Sequence, residues 1–172
     1  MDFSVIAAAD ENMGIGTKNK LPWRLKGDLA YFSRVTSQAQ AHKTNAVIMG
    51  SNTWLSIPKA HRPLPDRINV VLSRKQIDLP EGVILASSFE DAFEKLGAQD
   101  DLDEVFVIGG AGVYAQAIAR LDCKKVYLTE VTGTFNCDTF FPRIPRDFKK
   151  ISESEMHEEK GISFKFAVYE RS

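Results

Sequence analysis

The sequence has no apolar stretch approaching the roughly 20 residues that a membrane-spanning helix needs. Its start, Met1-Asp2-Phe3-Ser4-Val5-Ile6, lacks the charged and apolar regions of a secretory leader. Net charge is nearly absent: 22 Lys and Arg against 23 Asp and Glu give a formal −1, with no block of one sign. Such a surface exerts no long-range pull on nucleic acid or anionic lipid, so neither is an expected partner. Cysteine is confined to Cys123 and Cys137, and histidine to His42, His61 and His157. Two unpatterned cysteines read as reduced thiols of a cytoplasmic protein, with structural roles only. Nothing among these histidines and cysteines has metal-ligand spacing, so no metal is expected. Neither G-x-S-x-G nor G-x-x-x-x-G-K occurs. A reaction in a chain with no nucleophile motif and no metal is best carried by an organic cofactor.

Repeats, low-complexity blocks and linkers are also missing, which leaves one domain over residues 1–172. Short runs rich in β-branched residues predict strands at Val5–Ala9, Ala46–Met49, Ile68–Leu72, Val83–Leu85, Val105–Ile108 and Lys125–Leu128. These runs are unbroken rather than alternating, the pattern of strands buried on both faces of a parallel sheet. Helical patterns lie between them. One runs from a capping Ser88, with Asp91 as box-like partner, to a stop at Gly97, and another from Gly112 to Leu121. Ser163 to Tyr169 alternates as a strand with one wet face. Lys160-Gly161 marks a turn before it, and Phe148 to Met156 is its antiparallel partner. The predicted fold is α/β: a mostly parallel, doubly wound sheet ending in a C-terminal antiparallel hairpin and flanked by helices.

Leu21 to Val35 reads as a helix entered just after Pro22. At about 100° per residue, Leu25, Leu29, Phe32 and Val35 form one stripe, and Asp28 falls inside it. A carboxylate aimed at apolar neighbours loses hydration and its pKa rises. Asp28 either handles a proton or is paired. Alternatively it sits half-exposed in the first turn and answers the helix dipole.

Ligands of doubly wound sheets bind beyond the carboxyl ends of the strands. Val107-Ile108-Gly109-Gly110-Ala111-Gly112-Val113-Tyr114 is a strand, a glycine loop and a helix start, suited to phosphate through close backbone approach and free N–H donors. Tight helix–strand packing is the other reading of these glycines. Gly110 to Ala115 also fits the G-x-G-x-x-A dinucleotide fingerprint, with Glu130 about twenty residues on. That fingerprint opens a dinucleotide domain, however, and too little chain follows to build one. Ser51, Asn52 and Thr53 begin a helix after Met49-Gly50 and either cap it or meet phosphate. Ser73-Arg74-Lys75 ends another strand as a compact anion site or a solvated terminus. Pro63 and Pro65 stiffen the approach to Arg67, which can grip a carboxylate from a pocket rim or simply face solvent.

In order and spacing, these blocks resemble the dihydrofolate reductase family over essentially the whole chain. The resemblance rests on Val5-Ile6-Ala7-Ala8, Gly14-Ile15-Gly16, Leu21-Pro22-Trp23, Asp28-Leu29-Ala30-Tyr31-Phe32, Val47 through Trp54, Arg62-Pro63-Leu64-Pro65, Arg67 through Arg74, Val107-Ile108-Gly109-Gly110 and Asp138-Thr139-Phe140-Phe141-Pro142. It implies reduction of 7,8-dihydrofolate by NADPH in a monomeric cytoplasmic enzyme that also takes antifolates. Asp28 is then the one ionisable group facing the pteridine. Leu21, Trp23 and Thr129 complete the catalytic set, with Trp23 and Thr129 resembling the residues that hold a water beside the carboxylate. Ile6, Ala8, Leu29, Phe32, Ile57, Leu64, Ile108 and Tyr114 are the implied substrate pocket, and Arg67 the partner of the substrate's α-carboxylate. Ala8, Ile15, Gly16, Gly50, Ser51, Asn52, Thr53, Leu72, Ser73, Arg74 and Gly109 to Tyr114 (Gly109, Gly110, Ala111, Gly112, Val113, Tyr114) are the implied NADPH site. Asp10 to Trp23 corresponds to the family's mobile loop, and Gly109-Gly110 to its cis peptide.

Two features depart from the usual pattern. Many members carry basic residues where this chain has Ser51, Asn52 and Ser87, which leaves the cofactor's 2′-phosphate to Ser73, Arg74 and Lys75. The acid is aspartate, as in many bacterial members, while the Arg-Pro-Leu-Pro and Leu-Ser-Arg blocks lean toward eukaryotic ones. A riboflavin-pathway pyrimidine reductase of related fold is the alternative enzyme, and it does not call for Asp28 beside Trp23. A non-catalytic nucleotide-binding module would assign Asp28 no role.

Overall fold

The computed structural model describes residues 1–172. In chain order the elements are β1 (Phe3–Ala9), β2 (Gly14–Gly16), α1 (Lys26–Ser37), β3 (Thr44–Gly50), α2 (Ser51–Ser56), β4 (Arg67–Leu72), β5 (Ile84–Ala86) and α3 (Phe89–Gly97). There follow β6 (Leu102–Val107), α4 (Ala111–Ile118), β7 (Cys123–Val131), β8 (Thr139–Phe140), β9 (Phe148–Glu153), β10 (His157–Glu159) and β11 (Ile162–Arg171). A nine-stranded sheet runs β10-β11-β7-β1-β6-β3-β4-β5, with β9 also on β11. The strands from β7 to β5 are parallel, and β11 is antiparallel to β7.

The unbroken apolar runs are covered on both faces. In β3, Ala46 and Ile48 join the core under α3 and α4, while Val47 and Met49 join Trp54 and Phe106 on the opposite side, against Phe32 and Val35 of α1. Ser88 accepts a hydrogen bond from the Asp91 N–H at 3.0 Å, so the cap of α3 forms. Asp91 does not return to Ser88. Its Oδ2 accepts from the Ser87 N–H at 2.9 Å, one residue earlier.

Three sequence expectations need correction. Helix α1 begins at Lys26, not just after Pro22, because Leu25 is extended (φ −117°, ψ 109°). The extended approach buries Trp23 and Leu25 on one side and leaves Arg24 exposed, so packing overrides helix propensity there. The helix expected from Gly112 to Leu121 spans Ala111–Ile118. The C-terminal strand, expected to have one wet face, has none: β11 pairs with β7 on one side and with β9 and β10 on the other, and residues on both of its faces are covered. Phe164 and Phe166 share the face turned to α1, where Tyr31 stacks on Phe166 with ring centroids 3.9 Å apart, and Ala167 and Tyr169 on the opposite face join the main core. The turn at Lys160-Gly161 joins β10 to β11 as expected, and Phe148 to Met156 divides into β9 and the bend before β10.

Candidate functional site

Beyond the carboxyl ends of the parallel strands opens one cleft of about 1970 Å³. α1 forms one wall. Asp28 and Thr36 are its only buried residues, while Leu29 is 42% exposed and Phe32 is half-buried, so the predicted stripe is divided: Asp28, Leu29 and Phe32 border the cleft, and Phe32 and Val35 also pack on the core. Asp28 is buried by position, one turn into α1 where the helix meets β7. Its Oδ1 accepts a 2.7 Å hydrogen bond from the hydroxyl of buried Thr129. Burial drives the Asp28 carboxyl above its ordinary value, the Thr129 bond opposes this, and the Glu159 charge adds to the rise. Desolvation is the largest cause, so the protonated form is favoured relative to a surface aspartate. Beside it, Trp23 packs edge-on against Phe135, and its Nε1 is the one buried side-chain polar atom in the chain without a hydrogen-bond partner.

Every sequence-predicted site residue borders this cleft. Leu21, Trp23, Asp28 and Thr129 cluster with Ile6, Ala8, Leu29, Phe32, Ile57, Leu64, Arg67 and Ile108. Arg67 is held at the rim: its Nε donates to the Pro65 carbonyl at 2.8 Å and its Nη1 to the Thr36 hydroxyl at 2.9 Å. Two of its five N–H donors are thereby used. The remaining set, Ile15, Gly16, Gly50, Ser51, Asn52, Thr53, Leu72, Ser73, Arg74 and Gly109 to Tyr114, lines the same space. Ser73 spends its hydroxyl locally, donating to the Lys75 carbonyl and accepting from the Lys75 N–H, while Arg74 and Lys75 remain exposed.

The glycine loop after β6 is built for close approach. Gly109-Gly110 is a cis peptide, and Gly109 has φ +124°. A Cβ on Gly109 would stand 3.3 Å from the Tyr114 ring, and one on Gly50 3.1 Å from Val113. The Gly109 carbonyl accepts from the Gly50 N–H at 2.9 Å, and the Tyr114 hydroxyl donates to the Ile6 carbonyl at 2.7 Å. These bonds tie β1, β3 and α4 together around the loop. α4 has no side-chain cap, so its first N–H groups are free for an anion. Bare backbone at Gly50, Gly109 and Gly110, free donors at α4 and the exposed Arg74 fit the pyrophosphate and phosphate of a nicotinamide dinucleotide.

Sequence reasoning passed over Asp10, which is 5% exposed. Its Oδ1 accepts from the N–H groups of Asn12 (2.9 Å) and Gly14 (2.8 Å), and its Oδ2 from that of Phe135 (3.0 Å). It pins the Asp10–Trp23 loop to the 135–141 segment, where β2 pairs with β8. The signal was present: an acid directly after a strand, followed by Asn12 and Gly14, is a turn-forming pattern. Tyr31, three residues after Asp28, also borders the cleft and follows from helical spacing. Cys123 and Cys137 are free thiols, as expected, and burial pushes the Cys123 thiol up to about 12. Cys137 has a polar contact, its Sγ lying 3.7 Å from Asp10 Oδ2.

A doubly wound sheet with an acid-bearing cleft and a glycine-lined helix start defines an α/β enzyme that brings a dinucleotide to a small ligand. A family profile described as dihydrofolate reductase matches residues 2–171. Dihydrofolate reductase of Drosophila melanogaster is 42% identical over 98% of this chain and 97% of its own length. The Heliothis virescens enzyme is 42% identical over 98% and 96%, and a viral dihydrofolate reductase of Saimiriine herpesvirus 2 is 46% identical over 96% and 83%. The chain belongs to the dihydrofolate reductase family, and so to the nicotinamide-dependent oxidoreductases.

Proposed function

We propose that the protein reduces 7,8-dihydrofolate to 5,6,7,8-tetrahydrofolate, with NADPH as cofactor, and so supplies one-carbon metabolism. The observation that carries this reading is Asp28: a buried carboxyl with a raised pKa, bonded to Thr129 and bordering the cleft of about 1970 Å³. When bound, NADPH supplies the hydride that reaches C6 of the pteridine. The chain's own part is binding, orientation and the proton that reaches N5. Asp28 holds the amidine edge of the ring, with Thr129 fixing the carboxyl from behind. The Trp23 Nε1–H is a donor free for the same network. Apolar walls at Ile6, Phe32, Ile57, Leu64 and Ile108 exclude water from the ring, which keeps the acid's pKa high. Arg67 meets the substrate's α-carboxylate at the rim. Gly109, Gly110 and the start of α4 would hold the pyrophosphate, and Arg74 would take the 2′-phosphate.

The alternative, pyrimidine reduction in riboflavin synthesis, leaves the buried acid at position 28 without a task. We also read the protein as a cytoplasmic monomer. The direct test mixes protein, dihydrofolate and NADPH and follows the loss of reduced-nicotinamide absorbance. Steady decay is expected, and none with the folded wild-type protein would remove the proposal. Light scattering at assay concentrations should give the mass of one chain.

A further inference from the structure

α1 carries the acid but has no cap of its own. Its N-cap residue is Leu25, whose side chain accepts nothing. The first turn is instead held from 132 residues away in the chain. Glu159, the last residue of β10, accepts from the Lys26 N–H through Oε2 at 2.6 Å and from the Gly27 N–H through Oε1 at 3.0 Å. Gly27 makes the approach possible: a Cβ there would stand 3.3 Å from the Phe164 ring and 3.5 Å from Glu159 Oε1. Phe164 in turn packs with Trp23, Leu25 and Val131, so the hairpin is fastened both to the residues that lead into α1 and to β7. Asp28 follows Gly27 directly.

We propose that Glu159 is a positioning residue for the reaction: its carboxylate caps and fixes the turn that presents Asp28, and adds a negative charge to that acid's surroundings. This rests on the reading of Asp28 as the proton-handling group. The backbone bonds keep Glu159 itself below the usual carboxylate range, so it is charged wherever the enzyme works. The other groups around Asp28 are uncharged near neutrality. They are the Thr129 hydroxyl on β7 and the phenols of Tyr31 on α1 and Tyr114 on α4, both raised chiefly by burial. Lys26 and Lys160 are the cations acting on Glu159, Arg24 borders the cleft, and His157 stacks on Phe164 within the same hairpin. Glu159 is the anion that bears on Asp28.

The test compares Glu159→Gln, Glu159→Asp and wild type. Glutamine keeps an acceptor oxygen and loses the charge; aspartate keeps the charge and shortens the reach. The Asp28 carboxyl is titrated by carbon NMR in the ligand-free protein, and kcat is followed against pH. For Glu159→Gln the NMR titration and the limb of kcat should both move to lower pH. Turnover above the limb should fall about two- to fivefold, the scale of one partly exposed charge interaction. The difference should shrink in about 1 M salt. Glu159→Asp should restore the limb. An Asp28 titration unchanged in a folded Glu159→Gln protein would overturn the proposal, and so would a limb that moves equally in Glu159→Asp. Because the titration is read without substrate, it stands or falls separately from the identity of the substrate.

Discussion

Asp28 carries a cost in stability that its proposed proton role would account for. Its folded pKa lies above the unfolded value near 3.8. Between those two values the native state binds more protons than the unfolded chain, so stability falls as pH rises through that window and stays reduced above it. Asp28→Asn should therefore melt a few degrees higher than wild type at pH 7, with the gap closing below pH 4 in calorimetric scans. The same substitution should lower kcat by about 10²–10⁴ at neutral pH and less at low pH, where solution-protonated substrate bypasses the acid. Turnover equal to wild type at all pH values would refute the proton role. At the cofactor end, Arg74→Ala should raise KM for NADPH far more than for NADH, because Arg74 is exposed on the cleft and Ser73 is occupied by its own turn. Equal effects on the two cofactors would show that Arg74 does not read the 2′-phosphate. These residues were legible in the sequence because each sits at a strand end or on a helical stripe. Glu159 was not legible, since nothing near position 159 announces a bond to position 27.

Among the elements, the glycine loop and the Asp10–Trp23 segment make opposite demands on the backbone. Gly109 is rigid by necessity: with φ +124° and the Tyr114 ring 3.3 Å from any added Cβ, Gly109→Ala should cost more than about 1 kcal/mol in denaturant melts and weaken cofactor binding. The loop after β1 is held by backbone bonds to the 133–141 segment and by one carboxylate. Asp10→Ala removes the acceptor for the Asn12, Gly14 and Phe135 N–H groups, so amide exchange should accelerate across residues 11–20 while β3 and β6 stay protected. Uniform acceleration would instead mean that Asp10 supports the whole sheet. Strands were the easiest elements to read, because burial on both faces leaves runs such as Ala46-Val47-Ile48-Met49. Helix starts were harder. Trp23 and Leu25 look like the opening of α1, but their burial in an extended segment delays it to Lys26. β11 misled for a similar reason: its alternation reads as one wet face, yet Tyr31 of α1 stacks on Phe166 on one face and Ala167 joins the main core on the other.

Across the whole molecule, a single sheet joins residues far apart in sequence, as in the pairing of β1 with both β6 and β7. Thermal unfolding should be one cooperative transition, with calorimetric and van't Hoff enthalpies in agreement. Saturating NADPH at about 100 times its Kd should add roughly 2.7 kcal/mol to stability. The α/β class and the parallel centre followed from the sequence, and so did the grouping of the site at the strand ends. The order in which β11 enters the sheet did not, because pairing between distant strands leaves no local mark.

That placement of β11 has a consequence during synthesis. The acid is made early, at position 28, its hydrogen-bond partner comes 101 residues later, and the hairpin that clasps its helix comes later still. A ribosome must therefore release nearly all of the chain before the catalytic corner can close. Ligand binding that depends on the held position of Asp28 therefore begins only once the hairpin has been made.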